Sequence, residues 1–174
     1  MRGMVHIYTG NGKGKTTAAI GLSVRAACAG MRVYFGQFMK GRDYSELSLP
    51  EYFPSHVTLE QYGSPKLLCR GEEPSEDDRD RAARGLGLIE EALGSGQFDI
   101  VVADELNVAV HMGLLDESRA LGVILGRPEA VELVITGRYA PASFIEAADL
   151  VTEMRDIKHY YDTLGLKARK GIEY

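Results

Sequence analysis

Short apolar runs alternate along the chain with longer segments in which apolar residues recur every three or four positions. The short runs have the length of buried strands, and the longer segments have the period of helices that cover a sheet. The pattern predicts strands at residues 5–8, 32–38, 57–62, 99–105, 131–136 and 150–154. It predicts helices at 16–29, 75–93 and 114–125 and another that begins near Pro141, with loops at 39–56 and 63–75.

The alternation of strands and helices favours an α/β fold with a mostly parallel sheet and helices on both faces. Ligands of such sheets bind at the carboxyl ends of the strands. In the helix at 16–29, Ile20, Val24 and Cys28 recur every four residues and are expected to face the sheet. Because no repeat or low-complexity linker interrupts the pattern, residues 1–174 are predicted to form a single domain.

The composition restricts the partners that can be expected. The chain is 45% hydrophobic with a net charge of −5 and a pI near 5.4, which argues against nucleic-acid binding through bulk electrostatics. Its two cysteines, Cys28 and Cys69, form neither a disulfide framework nor a metal ligand set. No apolar run approaches the roughly 20 residues that span a bilayer, and no signal-peptide pattern opens the chain. We therefore expect a cytoplasmic protein without membrane contact.

A glycine-rich stretch lies between the first predicted strand and the first predicted helix. Glycines let backbone N–H groups turn toward a phosphate, Lys15 supplies a positive charge, and Thr16 supplies a hydroxyl for a metal-bound phosphate. Thr9 occupies the position of the first glycine of an ordinary P-loop, and a chance glycine turn is the alternative reading. The stretch expected to bind nucleotide is Gly10-Asn11-Gly12-Lys13-Gly14-Lys15-Thr16-Thr17.

An acidic pair ends the fourth predicted strand. Asp104 and Glu105 resemble a Walker B pair, which would hold Mg²⁺ or Mn²⁺ together with Thr16. The alternative is an acidic pair in solvent at the start of a helix.

Three further polar residues are candidates for ligand contact. Gln37 ends the second predicted strand, and Arg138 follows the fifth, where its guanidinium would meet phosphate oxygens or solvent. Arg25, one helix turn past Gly21, faces either the nucleotide or the edge of the core. From the residues alone, the chain is a nucleotide-binding α/β protein: a kinase, an ATPase, a nucleotide switch or a transferase that uses another part of ATP.

Ordered blocks of residues resemble the ATP:corrinoid adenosyltransferases of the cobalamin pathway. They keep that family's order and nearly its spacing from residue 4 to the end of the chain, so the set is far more specific than a P-loop alone. The blocks are residues 10–19, Gln37-Phe38-Met39-Lys40-Gly41, Asp104-Glu105-Leu106-Asn107, Thr136-Gly137-Arg138, residues 148–154, Lys158-His159 and Lys170-Gly171-Ile172-Glu173-Tyr174.

The resemblance implies a P-loop NTPase-like fold of the RecA type and a homodimer. It implies that the 5′-deoxyadenosyl group of ATP is transferred to Co(I) of a reduced corrinoid with release of triphosphate, and that a flavoprotein can serve as reductant. Lys15, Thr16 and Glu105 would then be catalytic, and Thr16, Asp104 and Glu105 would hold the metal ion.

The chemistry also bears on the orientation of the nucleotide. The reacting atom of ATP in this reaction is the ribose C5′, whereas an ordinary P-loop presents the γ-phosphate. We therefore expect the loop, with Thr9 in place of glycine, to bind ATP in the sense opposite to that of an ordinary P-loop.

The corrinoid half of the resemblance is weaker. Many family members carry a helix before the first strand that folds over the active site; this sequence starts almost at the strand, so we expect that lid to be missing or supplied otherwise. Many also carry a Gly-Phe-Thr-Trp motif after the third strand, although this chain has no tryptophan. Tyr62, Leu67 and Leu68 are expected to supply the apolar contacts instead, or the substrate is an incomplete corrinoid that needs none. The remaining alternatives are a phosphotransferase or ATPase, and a non-catalytic carrier of corrinoid or nucleotide.

Overall fold

The computed structural model describes residues 2–65 and 72–174, which contain six strands and seven α-helices. The strands are β1 Val5–Thr9, β2 Val33–Gln37, β3 Val57–Gln61, β4 Ile100–Asp104, β5 Glu132–Thr136 and β6 Leu150–Glu153. The helices are α1 Lys15–Cys28, α2 Leu49–Tyr52, α3 Glu76–Gly94, α4 Leu106–His111, α5 Glu117–Leu125, α6 Ala142–Ala147 and α7 Tyr160–Leu164, and a 3₁₀ turn spans Ser45–Ser48.

The described strands form one sheet in the order β3-β2-β4-β5-β1-β6, and every pairing between neighbours is parallel. Strand β5 lies between β1, which leads into the glycine-rich loop, and β4, which ends in the acidic pair. The predicted α/β class and P-loop NTPase-like fold are confirmed. Because the strands are parallel, their carboxyl ends meet at one edge, and the polar clusters that follow β1, β2, β4 and β5 are brought together there.

Helices cover both faces of the sheet, as the alternation in β4 shows. Val101 and Ala103 belong to a core cluster that includes residues of α3, α4, α5 and α6. Ile100 and Val102 point to the other face, into a cluster with residues of α1. Successive residues of a strand point to opposite faces, so a strand buried on both sides is apolar throughout.

The predicted inner face of α1 is wrong. Ile20 and Val24 are only partly buried and Cys28 is exposed. Small side chains at the sheet interface let a helix approach closely, whereas the larger apolar residues lie on its flank. The residues that α1 buries are Lys15, Ala19, Ser23, Ala26 and Ala27.

Helix α3 agrees with its sequence signals. Ser75 caps it by accepting a hydrogen bond from the backbone N–H of Asp78, and the Asp78 carboxylate accepts one from the N–H of Ser75 in return. The predicted stripe of Leu86, Ile89 and Leu93 is buried.

Four helices and the 3₁₀ turn differ from the prediction. The loop predicted at 39–56 contains the 3₁₀ turn and α2, which begins with Pro50 in its first turn. Helices α4 and α7 were not predicted because six and five residues are too few for a recognisable helical period. The helix predicted at 114–125 begins only at Glu117, after the Asp116 cap.

Among residues 2–65 and 72–174, no helix combines the length and apolar character needed to cross a membrane.

Candidate nucleotide-binding site

The glycine-rich loop lies against the end of β6. Gly12 donates its backbone N–H to the carbonyl oxygen of Met154 over 2.8 Å. Gly10 and Gly14 have φ angles of 92° and 121°, and a Cβ atom added to Gly12 would lie 2.8 Å from the Met154 carbonyl carbon. Side chains are therefore excluded from these positions, so an anion could approach the loop backbone closely.

Lys15 and Thr16, the first residues of α1, are both engaged within the protein. The Lys15 ammonium donates to the carbonyl oxygens of Gly10 and Gly12 over 2.8 and 2.7 Å, and only 7% of the residue is exposed. Burial lowers the pKa of Lys15 below its usual range. Since an ammonium held by neutral carbonyls lacks an anionic partner, phosphate oxygens at the loop would be stronger acceptors.

The Asp104 carboxylate is completely buried and accepts four hydrogen bonds from different parts of the fold. The hydroxyls of Thr16 and Thr136 donate to Oδ1 over 2.8 and 2.6 Å. The amide of Gln37 and the ammonium of Lys40 donate to Oδ2 over 3.1 and 2.9 Å. Asp104 thus joins the start of α1 to the ends of β2, β4 and β5, and each of its two oxygens already accepts two hydrogen bonds.

Of the acidic pair, Glu105 is the residue that lines the cavity at this edge of the sheet. Its backbone is left-handed at φ 62°, and its N–H donates to the Thr136 hydroxyl over 3.0 Å. Burial, and then the neighbouring charge of Asp104, raise the pKa of Glu105 above its usual range. Within the described residues, no side chain pairs with this carboxylate, so the carboxylate is available to a cation.

Left-handed backbone marks the same edge of the sheet at three non-glycine residues: Met39 after β2, Glu105 after β4 and Tyr139 after β5. Their φ angles are 60°, 62° and 61°, a conformation that costs about 1 kcal/mol or more for a residue with a Cβ. All three line one cavity. Strain concentrated around a cavity is typical of a functional site.

This cavity measures about 680 Å³, a size that suits a nucleotide. The glycine-rich loop forms one side and α4 another, while residues near the C-terminus form a third. Its lining residues are Asn11, Gly12, Lys13, Gly14, Lys15, Thr16, Thr17, Met39, Glu105, Val108, His111, Met112, Arg138, Tyr139, Asp156, His159, Ile172 and Glu173.

Arg138 lies on the rim of this cavity. Its guanidinium donates to the carbonyl oxygen of Asn11 in the loop over 3.1 Å. The preceding residue, Gly137, has φ 129° and accepts a hydrogen bond from the Asn107 amide over 3.1 Å. Arg138 is thereby held beside the loop, and its positive charge contributes to the lowered pKa of Lys15.

The C-terminal residues contact the loop directly. The Lys13 ammonium donates to Glu173 Oε1 over 2.7 Å, to the carbonyl of Ile172 over 2.9 Å and to the Tyr160 hydroxyl over 3.0 Å. Hydrogen bonds from Arg169 and then from Lys13 hold the pKa of Glu173 well below its usual range. These contacts were not predicted, because residues about 160 positions apart carry no pairing signal in a single sequence.

Several predicted site residues lie elsewhere. Gln37 is buried behind Asp104 and also bonds to Glu46 and Gln61, so it supports the site without lining the cavity. Arg25 is exposed in the last turn of α1, away from the loop. Tyr62 is buried and shares a 2.6 Å hydrogen bond with Tyr34. Leu67 and Leu68 lie outside the described residues.

The oxygen ligands near Thr16 fit a small hard cation such as Mg²⁺ or Mn²⁺. Glu105 offers an unpaired carboxylate of raised pKa, and Thr16 offers a hydroxyl now bonded to Asp104. No group of three or more His, Cys, Asp and Glu side chains able to hold a metal occurs within residues 2–65 and 72–174. A cation there would complete its shell with nucleotide oxygens and water, as Mg²⁺ commonly does.

The fold and this site define a P-loop nucleotide-binding protein. A sequence model of the ATP:corrinoid adenosyltransferases BtuR/CobO/CobP matches residues 1–174, and the chain belongs to that family. A corrinoid adenosyltransferase of Pseudomonas aeruginosa is 37% identical over 176 residues, covering 99% of this chain and 84% of the relative. Corrinoid adenosyltransferases of Salmonella typhimurium and Escherichia coli are 34% and 33% identical, covering 99% of this chain and 86% of each relative.

Proposed function

We propose that the protein transfers the 5′-deoxyadenosyl group of ATP to Co(I) of a reduced corrinoid and releases triphosphate. One observation carries the proposal. The chain matches an ATP:corrinoid adenosyltransferase family along residues 1–174 and keeps Lys15 and Thr16 at the start of a helix, beside a buried acidic strand end.

The reaction needs no general base. The electron pair of Co(I) forms the new bond to C5′, and the C5′–O bond breaks with its electron pair leaving on triphosphate. No proton is removed from the nucleophile, and the corrinoid supplies the difficult chemistry. Asp104 and Glu105 therefore serve to position groups, not to abstract protons.

The protein's main contribution is to stabilise the charge that grows on the leaving triphosphate. Lys15, now bonded to two loop carbonyls, would exchange them for phosphate oxygens. The N–H groups at the start of α1 and the Arg138 guanidinium add positive potential on the same side. Lys13 would join them once it is released from Glu173.

A bound Mg²⁺ or Mn²⁺ would supply further charge neutralisation to the phosphates. Thr16 and Glu105 are the residues that would hold it. Asp104 would act through its hydrogen bond to Thr16, because its own oxygens already accept four hydrogen bonds.

We also propose that the nucleotide binds in the sense opposite to that of an ordinary P-loop. Thr9, the residue in place of the usual first glycine, is the last residue of β1, paired with Glu153 of β6. The reaction requires C5′ to face the cobalt of the corrinoid, and the reversed orientation exposes C5′. A nucleotide complex with the γ-phosphate exposed and C5′ enclosed would overturn this orientation.

The proposed contacts to the corrinoid are apolar. Tyr62 already forms a buried hydrogen bond with Tyr34, so it would contact a corrinoid only after rearrangement. Leu67 and Leu68 remain the proposed apolar contacts. A homodimer, a flavoprotein reductant and a cytoplasmic location are likewise expectations that rest on the family resemblance or on the sequence.

One anaerobic assay tests the function. Purified protein is given chemically reduced cobalamin or cobinamide with ATP and Mg²⁺, and the light-sensitive cobalt–carbon spectrum is recorded while labelled ATP products are separated. Formation of the organocobalt bond with triphosphate is the expected result. ADP as the only product would indicate a phosphotransferase or ATPase, and binding of both substrates without turnover would indicate a carrier.

A further inference from the structure

Two aromatic rings form an unassigned feature of the cavity. The rings of His111, the last residue of α4, and Tyr139, which follows β5, are stacked with their centroids 4.1 Å apart and their planes 24° apart. Both residues line the cavity, and 45% of Tyr139 is exposed. We call this pair the aromatic platform.

The platform is held rigidly from both sides. Asn107, one helical turn before His111, donates to the Gly137 carbonyl over 3.1 Å, so α4 and the residues after β5 are joined twice. Arg138, next to Tyr139, bonds to the loop at Asn11. Tyr139 itself has φ 61°, a conformation disfavoured for tyrosine. A large ring is thus fixed in a strained backbone although 45% of the residue remains exposed, which simple packing would not require.

The cavity has two chemically different ends. Lys13, Lys15 and Arg138 lie at the loop, where phosphates are expected. Val108 in α4 and Met112, which follows the last residue of that helix, also line the cavity and add apolar side chains near His111. Since α4 rises about 1.5 Å per residue, His111 lies about 9 Å along the helix from Glu105. A ligand anionic at one end and flat and apolar at the other matches this arrangement.

We propose that the aromatic platform of His111 and Tyr139 binds the adenine base of ATP by stacking. This inference rests on the proposed function in that it takes ATP as the nucleotide. Adenine is joined through its ribose to the phosphates that the loop holds, so base and phosphates must occupy the same cavity. Stacking of a base on an aromatic side chain accounts for roughly a 10- to 100-fold gain in affinity.

The test compares an anion that carries the adenine base, ATP, with one that carries no base, inorganic triphosphate. Binding of Mg–ATP and of inorganic triphosphate is measured by calorimetry without corrinoid, for the wild type and for Tyr139→Gly, His111→Ala and Tyr139→Phe. Glycine is chosen at 139 because it removes the ring and relieves the left-handed backbone, so this variant should fold. Tyr52→Ala, at an exposed tyrosine of α2 outside the cavity, is the matched control.

We expect Tyr139→Gly and His111→Ala to weaken ATP binding about tenfold or more and to leave triphosphate binding unchanged. Tyr139→Phe and Tyr52→Ala should match the wild type for both anions. Unchanged ATP affinity, or equal losses for ATP and triphosphate, would overturn the proposal. So would a change confined to the KM for reduced corrinoid, which would assign the platform to the second substrate.

Failure of this inference can be distinguished from failure of the proposed function. If the wild type binds ATP but never forms a cobalt–carbon bond, the adenosyl transfer fails while the binding comparison still decides the platform. If transfer occurs and the platform variants bind ATP normally, only this inference fails.

Discussion

The hydroxyl of Thr16 donates a hydrogen bond to Asp104 over 2.8 Å, although the two residues are 88 positions apart in the chain. The bond joins the start of α1 to the end of β4 across the intervening β5. Because Asp104 also binds Thr136, Gln37 and Lys40, the first residues that a nucleotide would touch are linked to three other elements through one carboxylate.

Replacing Lys15 should abolish most of the transfer. Lys15→Ala removes the buried ammonium expected to stabilise the leaving triphosphate, so kcat should fall about 100- to 1,000-fold, as for loss of one donor at a developing oxyanion. Anaerobic kinetics with reduced cobalamin measures this. Lys167→Ala, at an exposed lysine outside the cavity lining, is the control and should keep full activity. A Lys15→Ala enzyme with normal kcat would contradict the role.

Replacing Asp104 should destabilise the fold. Asp104→Ala leaves two threonine hydroxyls without their acceptor and takes from the partly buried Lys40 ammonium one of its carboxylate partners, leaving Glu46, which should lower the free energy of unfolding by about 3 kcal/mol. Urea denaturation measures the change. Asp77→Asn, which affects an exposed pair with Arg81, is the matched control and should change little. Equal stabilities of the two variants would show that the Asp104 network carries no stability.

The charged form of Glu105 should lower the stability of the folded protein, although the proposed activity requires this carboxylate. Its pKa is raised in the folded state from the reference value of 4.5, so the folded protein holds more protons than the unfolded chain above that pH. The contribution of Glu105 to wild-type stability should therefore fall as pH rises from 4.5 through the folded pKa. Glu105→Gln should remove this dependence, gain about 1 kcal/mol at neutral pH and lose metal-dependent activity.

Denaturation of both proteins from pH 4 to pH 8 tests the Glu105 prediction. The two curves should coincide at the acid end and diverge toward neutrality, with the variant more stable. If the two curves are parallel over the whole range, the folded state does not disfavour the charged form of Glu105.

Glu173 should compete with phosphates for Lys13. Its carboxylate accepts a hydrogen bond from Lys13 at the rim of the cavity, so Glu173→Gln should strengthen binding of inorganic triphosphate several-fold by leaving Lys13 with a neutral partner. Calorimetry measures the affinity. Glu153→Gln, which affects an exposed pair with Arg155, controls for the change in net charge. Weaker binding by Glu173→Gln would show that the tail supports the phosphate site.

The pH dependence of the same contact has a defined sign. Since Arg169 and Lys13 lower the pKa of Glu173 in the folded protein, the tail contact is present above the ordinary glutamate pKa near 4.5 and is lost only as pH falls through the lower folded value. An NMR titration of the Glu173 carboxyl should thus show no transition between pH 4 and pH 7.

The sequence was sufficient to predict the strands and the edge at which the polar clusters meet, because buried parallel strands are nearly all apolar and end at recognisable motifs. It failed for α1, whose alternating small residues Ala19 and Ser23 face the sheet while Val24 does not. A period of four residues predicts which residues share a face, but not which face is inside when both carry apolar side chains.

The candidate site was predicted only as far as local motifs reach. Lys15, Thr16 and Glu105 belong to contiguous sequence motifs that indicate phosphate and metal binding. His111 and Tyr139 are 28 positions apart and come together only through the fold, and His111 by itself reads as a surface residue, which its exposure confirms. The role of Glu173 depends on a distant lysine and has no local signature.

The exposure of Cys28 has a practical consequence. Helix α1 runs antiparallel to the strands, so its last residue lies at the edge of the sheet opposite the cavity. A Cys69→Ser variant would leave Cys28 as the sole thiol, open to maleimide dyes or surface tethers. A probe attached at Cys28 lies on the side of the protein opposite the cavity. Nucleotide turnover can therefore be observed on single molecules without blocking access to the cavity.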